Sequence, residues 1–73
     1  MNAYYEYTTD NGIIVMDTLS NLLVEEIEDT ISIHADGGFM MTIPRSEIES
    51  EIHEDDLDVY KMEDGSCIKL SLF

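Results

Sequence analysis

The chain has 73 residues, of which 17 are Asp or Glu and only 3 are Lys or Arg, giving a formal net charge of -14. This length predicts one domain, 1–73, with a small core, and the 44% hydrophobic content exceeds that of disordered acidic tails. The charge excludes direct binding to nucleic acid and to anionic membranes, while it favours fast association with basic surfaces.

The first predicted element is a β-hairpin. Residues 3–9 are rich in aromatic and β-branched types, and the turn signal Asp-Asn-Gly at 10–12 separates them from a second apolar run. Because side chains alternate along a strand, Tyr5 and Tyr7 share one face and Tyr4 lies on the other. Alternation alone leaves open which face is buried.

A helix is predicted over about 18–29. Cap-forming residues open the segment DTLSNLLVEEIED, and its leucine and isoleucine residues recur at helical spacing. The last turn is crowded with carboxylates, which oppose the negative end of the helix dipole. These carboxylates are Glu25, Glu26, Glu28 and Asp29. Val24 keeps open the alternative that residues 22–24 belong to a strand.

A second hairpin is predicted next. Ile31 and Ile33 alternate with polar residues, and an Asp-Gly-Gly turn at 36–38 precedes the apolar run 39–43. Pro44 ends this hairpin because proline cannot donate a hydrogen bond to a central ladder.

A short helix is predicted over about 46–54, followed by a third hairpin. Ser46 and Glu49 have the spacing of a capping box, and two isoleucines lie one turn apart. The third hairpin joins residues 57–62 to 67–73 through an acidic, glycine-containing turn. The order ββαββαββ predicts an α+β domain, with an antiparallel sheet built from hairpins and one or two short helices.

The carboxylates concentrate in two tracts that we expect to bind a partner. The hairpin between the tracts could bring them onto one side of the domain, and the sequence leaves open whether they form one surface. The first acidic tract comprises Glu25, Glu26, Glu28 and Asp29, and the second comprises Glu47, Glu49, Glu51, Glu54, Asp55, Asp56 and Asp58. On a helix, residues four apart rise about 6 Å, close to the spacing of phosphates along a nucleic-acid strand. The ordinary interpretation is a solvated helix face. Against it, Arg45, Lys61 and Lys69 are too few to give a surface of mixed sign.

No catalytic, metal or cofactor motif accompanies this charge. The acidic residues lack the order of an EF-hand loop, and His34 and His53 have no cysteine partners at zinc-ligand spacing. Cys67 is the only cysteine, so an intramolecular disulfide is excluded. The amino-terminal residues also lack the pattern of a signal peptide. We expect a cytoplasmic protein that is not an enzyme and binds no metal or cofactor.

In size, charge and acidic tracts such as SEIESEIHEDDLD, the chain resembles the small acidic proteins with which phages and mobile elements inhibit DNA-binding host enzymes. These include anti-CRISPR proteins, anti-restriction proteins and uracil-DNA glycosylase inhibitors. The resemblance implies a nucleic-acid mimic that occupies a basic nucleic-acid-binding groove of a host protein or complex. If the chain is phage-encoded, its compartment is the host cytoplasm.

Two other interpretations compete with the mimic. The chain could be an interaction module or regulatory subunit that docks through a sheet edge or an apolar patch, with its charge serving solubility. This interpretation leaves open a homodimer that buries Tyr4, Tyr7 or Phe39. Alternatively, the acidity is an adaptation to a high-salt cytoplasm and has no partner.

Overall fold

A computed structural model describes residues 1–73 and contains eight strands and no α-helix. The strands are β1 (Ala3–Thr8), β2 (Ile14–Leu19), β3 (Leu23–Ile27), β4 (Thr30–Ala35), β5 (Phe39–Pro44), β6 (Ile48–Glu54), β7 (Leu57–Met62) and β8 (Cys67–Leu72). Two single 3₁₀ turns, Asp36–Gly38 and Arg45–Glu47, flank β5.

The strands form two antiparallel sheets. One has five strands in the order β2-β1-β8-β7-β6, and the other has three in the order β3-β4-β5. The first and last strands of the chain are neighbours, and backbone hydrogen bonds in both directions join Asn2 to Phe73. Strands β2, β6, β3 and β5 are therefore edge strands.

One hydrophobic core lies between the two sheets. Both sheets contribute to a single cluster of ten buried residues: Ala3, Tyr5, Leu19, Leu22, Ile31, Ile33, Ile43, Tyr60, Ile68 and Leu70. The Tyr5 ring packs edge-on against Phe39 of the other sheet at 5.1 Å between centroids, and its hydroxyl donates to the Met41 sulfur. Tyr4 faces outward and stacks on Phe73. The buried face of β1 is therefore the one that carries Tyr5.

The three predicted hairpins are present as β1–β2, β4–β5 and β7–β8. Their turns contain glycines with positive φ, for example +88° at Gly12 and +93° at Gly65, which side chains with a Cβ rarely adopt. The third turn is held further by Asp64, whose carboxylate accepts from the Ser66 hydroxyl and backbone N–H. These two hydrogen bonds lower the pKa of Asp64.

The predicted helix over 18–29 is wrong. Residues 14–19 form β2, and Asn21 then turns the chain with a φ of +53°, a left-handed conformation that cannot continue a helix. Residues 23–27 form β3, so the strand alternative at 22–24 was correct for Leu23 and Val24. Leu19 and Leu22 are both buried, as they would be on one face of a helix. Their spacing of three residues therefore imitated helical periodicity.

The predicted helix over 46–54 is also wrong. Only Arg45–Glu47 is helical, as one 3₁₀ turn, and residues 48–54 form β6. Ile52 faces Val59 across the β6–β7 pair, so cross-strand packing of β-branched residues outweighs the capping-box signal. The domain is consequently all-β, and the α+β prediction is corrected.

Candidate partner-binding surface

The two acidic tracts meet at Arg45, in the turn between β5 and β6. Its backbone N–H donates to the carbonyl of Asp29 at 2.7 Å. Its guanidinium donates through Nε to Glu26 and through Nη1 to Glu51, both at 2.5 Å. One cation thus joins β3 of the small sheet to β6 of the large sheet. The hydrogen bonds that Arg45 donates to Glu26 and Glu51 raise its pKa.

His53 extends this connection along β6. Its Nδ1 lies 2.7 Å from a carboxylate oxygen of Asp58, its cross-strand partner, and its Nε2 lies 3.0 Å from Glu51. The hydrogen bond with Glu51, followed by that with Asp58, raises the pKa of His53, and the same contact with His53 lowers the pKa of Glu51. The His53 ring also packs edge-on against buried Tyr60. We call these five residues, Glu26, Arg45, Glu51, His53 and Asp58, the paired network.

The eleven carboxylates predicted as a site divide into two groups. Glu51 and Asp58 are half-buried members of the paired network, and Glu26 is an exposed one. The other eight are exposed and form no ion pair: Glu25, Glu28, Asp29, Glu47, Glu49, Glu54, Asp55 and Asp56. The first group holds the surface together, and the second gives it its uncompensated charge.

Two acidic hairpin turns carry part of this charge. Glu28 and Asp29 join β3 to β4, and Asp55 and Asp56 join β6 to β7. Glu28 has a φ of +56°, which is unfavourable for a residue with a Cβ and places a charged side chain where glycine would normally stand. The Asp55–Asp56 turn is anchored because the Leu72 N–H donates to the Asp56 carbonyl at 2.8 Å.

The spacing of the carboxylates differs from the helical prediction. On a strand, residues two apart share a face and lie about 6.6 Å from each other. Glu51 and His53 therefore lie on one face of β6, whereas Ile52 and Glu54 lie on the other. The spacing is still comparable to that of phosphates, but the second tract is divided between two faces and is not a continuous helical ridge.

The two lysines lie on the outward face of the large sheet and form no ion pair. Lys69 of β8 stands opposite Glu6 and Val59, and Lys61 of β7 stands opposite Ser50. All four ion pairs of the protein involve Arg45 or His53. The eight exposed carboxylates outside the paired network are thus left without a neutralising partner.

The structure adds two acidic residues that the sequence reasoning missed. Glu63 and Asp64 line a surface depression of about 270 Å³ together with Glu47 and Met62. The Glu63 N–H donates to the Glu47 carbonyl at 2.9 Å, which brings the β7–β8 turn beside the start of β6. The acidic turn signal was visible in the sequence, but Glu63 lies 16 positions after Glu47, and no local pattern indicates their contact.

Other groups named from the sequence lie apart from this surface. His34 is half-buried on β4, and Cys67 is a half-buried free thiol on β8. No group of three or more His, Cys, Asp or Glu side chains is arranged to hold a metal ion.

No protein-family model, curated protein or solved structure matches the chain. The structure contains no helix with the length and apolar character needed to cross a membrane.

Proposed function

We propose that the protein is an acidic nucleic-acid mimic, an inhibitor that binds the basic nucleic-acid-binding groove of a host defence or DNA-processing protein, such as a CRISPR effector complex. The observation that supports it best is the junction at Arg45, where one cation holds two acidic tracts together while the other eight carboxylates of these tracts stay exposed and form no ion pair. The proposal assigns the protein to the cytoplasm, and to the host cytoplasm if a phage encodes it.

The paired network provides the rigidity that such a mimic needs. Glu26 and Glu51 belong to different sheets, and without a shared cation their charges would push β3 and β6 apart. With Arg45 between them, the exposed carboxylates are held on a fixed frame of paired strands. A preorganised array loses less conformational entropy on binding than mobile acidic side chains on a disordered tail.

The exposed carboxylates provide the attraction to a basic groove. Charges of one sign raise the association rate with an oppositely charged partner, and this effect falls steeply with ionic strength. A target lined with Lys and Arg would exchange its contacts with phosphates for contacts with carboxylates. Access of nucleic acid to the groove is then blocked by occupancy, without any reaction.

The test begins with capture of the target. The tagged protein is used as bait in a nuclease-treated lysate of the native host at low and moderate salt, and retained proteins are identified by mass spectrometry. We expect a nucleic-acid-handling protein that is released by added salt and displaced by duplex DNA or guide RNA. Retained proteins without a basic groove, or a complex that neither salt nor nucleic acid displaces, would contradict the proposal.

A matched pair of double variants then locates the surface. Glu25→Lys with Asp55→Lys reverses two unpaired carboxylates, one in each tract, and we expect affinity for the captured target to fall by at least tenfold. Asp10→Lys with Asp36→Lys changes the net charge equally at exposed positions outside both tracts. If the two double variants lose affinity equally, total charge and not this surface determines binding.

The second interpretation, an interaction module that docks through a sheet edge, is favoured by a different observation. Strand β2 is an edge strand with four exposed apolar side chains at its beginning, counting Ile13 immediately before it. Binding through this edge would weaken little in salt, which distinguishes it from binding through the carboxylates.

A further inference from the structure

The start of β2 is an exposed apolar edge. Ile13, Ile14, Val15 and Met16 are consecutive, uncharged and between 49% and 71% exposed. Strand β2 pairs with β1 on one side only, so its other side presents unpaired backbone donors and acceptors. Unpaired backbone and exposed apolar side chains therefore occur on the same short segment.

The other three edge strands are protected against pairing. Strand β5 ends in Pro44, β3 carries Glu25 and Glu26, and β6 combines three carboxylates with an irregular register between Ile48 and Ser50. Proline, charge and bulges are the devices by which natural sheets block edge-to-edge association. The first half of β2 has none of them, so one edge out of four is left open.

The charge pattern of β2 suits a second copy of this chain. In a two-fold antiparallel pair centred on Val15, the uncharged residues of each copy face each other. The one charged residue, Asp17, then stands opposite an uncharged residue of the other copy and not opposite its own counterpart. The same arrangement at the centre of β3 would place glutamates of the two copies against each other, which is destabilising.

The net charge does not prevent this contact. Strand β6, which carries three carboxylates of the second acidic tract, lies at the opposite edge of the five-stranded sheet, four strands and about 19 Å from β2. The Debye length at physiological ionic strength is about 8 Å, so repulsion between the two acidic surfaces is largely screened. Each copy still carries a net charge of -14, and added salt screens the repulsion that remains between the copies. Salt should therefore strengthen this contact, whereas it weakens binding through carboxylates.

We propose that β2 is a self-association edge, through which two copies pair antiparallel to form a continuous ten-stranded sheet with an acidic surface at each end. This inference goes beyond the proposed function and does not depend on it. A homodimer through Phe39 is disfavoured because that ring packs against Tyr5 inside the domain.

The experiment is sedimentation equilibrium of the whole chain at about 0.15 M and about 0.5 M NaCl. We expect a mass above that of the 8.3 kDa monomer, increasing with salt towards twice that value. Met16→Lys, on β2, should weaken association at least tenfold. Met40→Lys makes the same charge change at a similarly exposed methionine on β5 and should leave association unchanged.

A cross-link tests the strand arrangement separately. In a Cys67→Ser background, Val15→Cys should form an intermolecular disulfide rapidly under copper phenanthroline, because paired strands bring the two Cα atoms within disulfide range. Met40→Cys in the same background is the control. A wild-type chain that stays monomeric at high salt, a dimer that resists Met16→Lys, or equal cross-linking of the two cysteine variants would each overturn the proposal. Monomeric protein that still binds a basic target would overturn this inference alone.

Discussion

Removal of the Leu70 side chain beyond Cβ should remove a large part of the stability of this domain. Leu70 is fully buried on β8, between Tyr5 of β1 and Asp58 of β7 in the ladder. Leu→Ala at such positions costs about 2–5 kcal/mol, because the transfer free energy is lost and a cavity remains. One small core rarely supplies more than about 3–5 kcal/mol to a domain of this size. Leu70→Ala should therefore lose about 40% or more of the free energy of unfolding.

The assay is urea unfolding followed by far-UV circular dichroism, in about 0.5 M NaCl so that charge repulsion is screened. Leu23→Ala is the matched control, since Leu23 is 52% exposed on an edge strand and should cost about 0.5 kcal/mol or less. The decisive quantity is the difference between the two variants. Equal shifts of the unfolding midpoint would refute the assignment of the core between the two sheets.

Two further predictions concern the paired network. The pKa of His53 is raised above its ordinary value of 6.5, so its charged contacts stabilise the fold fully below pH 6.5 and are lost as pH rises through the raised value. The difference in Tm between wild type and His53→Gln should therefore be present at pH 6 and shrink at higher pH; a difference that grows with pH would contradict the assignment. Arg45→Met leaves Glu26 and Glu51 facing each other without a cation, so we expect a lower Tm at low salt and a smaller deficit at about 0.5 M NaCl. Lys61→Met removes an equal charge that forms no ion pair, and a Tm loss as large as that of Arg45→Met would show that net charge alone is responsible.

The hairpins could be predicted from the sequence because their signals are local. Each glycine-containing turn lies between two apolar runs, and such turns fix the pairing of the strands on either side. The two helix predictions were wrong, and the error over residues 18–29 has a physical explanation. Leu19 and Leu22 are buried three residues apart because a tight turn at Asn21 separates two strands, and this spacing imitates one face of a helix.

The acidic surface was predictable in composition but not in arrangement. The two tracts are obvious in the sequence, yet their junction depends on a contact between two sheets that no local pattern encodes. Arg45 offered one available signal, as the only arginine of a very acidic chain, located between the tracts. The open edge at β2 could not be predicted, because the neighbours of this strand became known only from the strand order.

The pairing of β1 with β8 also determines how the chain can fold. Residues 3–8 must find residues 67–72, so a ladder at the centre of the large sheet closes a loop of almost the whole sequence. Contacts of such high sequence separation carry a large loop-closure entropy, and domains dominated by them fold on the millisecond-to-second scale. A nascent chain cannot complete its core until β8 has left the ribosome, because Ile68 and Leu70 belong to that core. Folding of this small domain is thus expected to be all-or-none and to begin only after β8 has been synthesised.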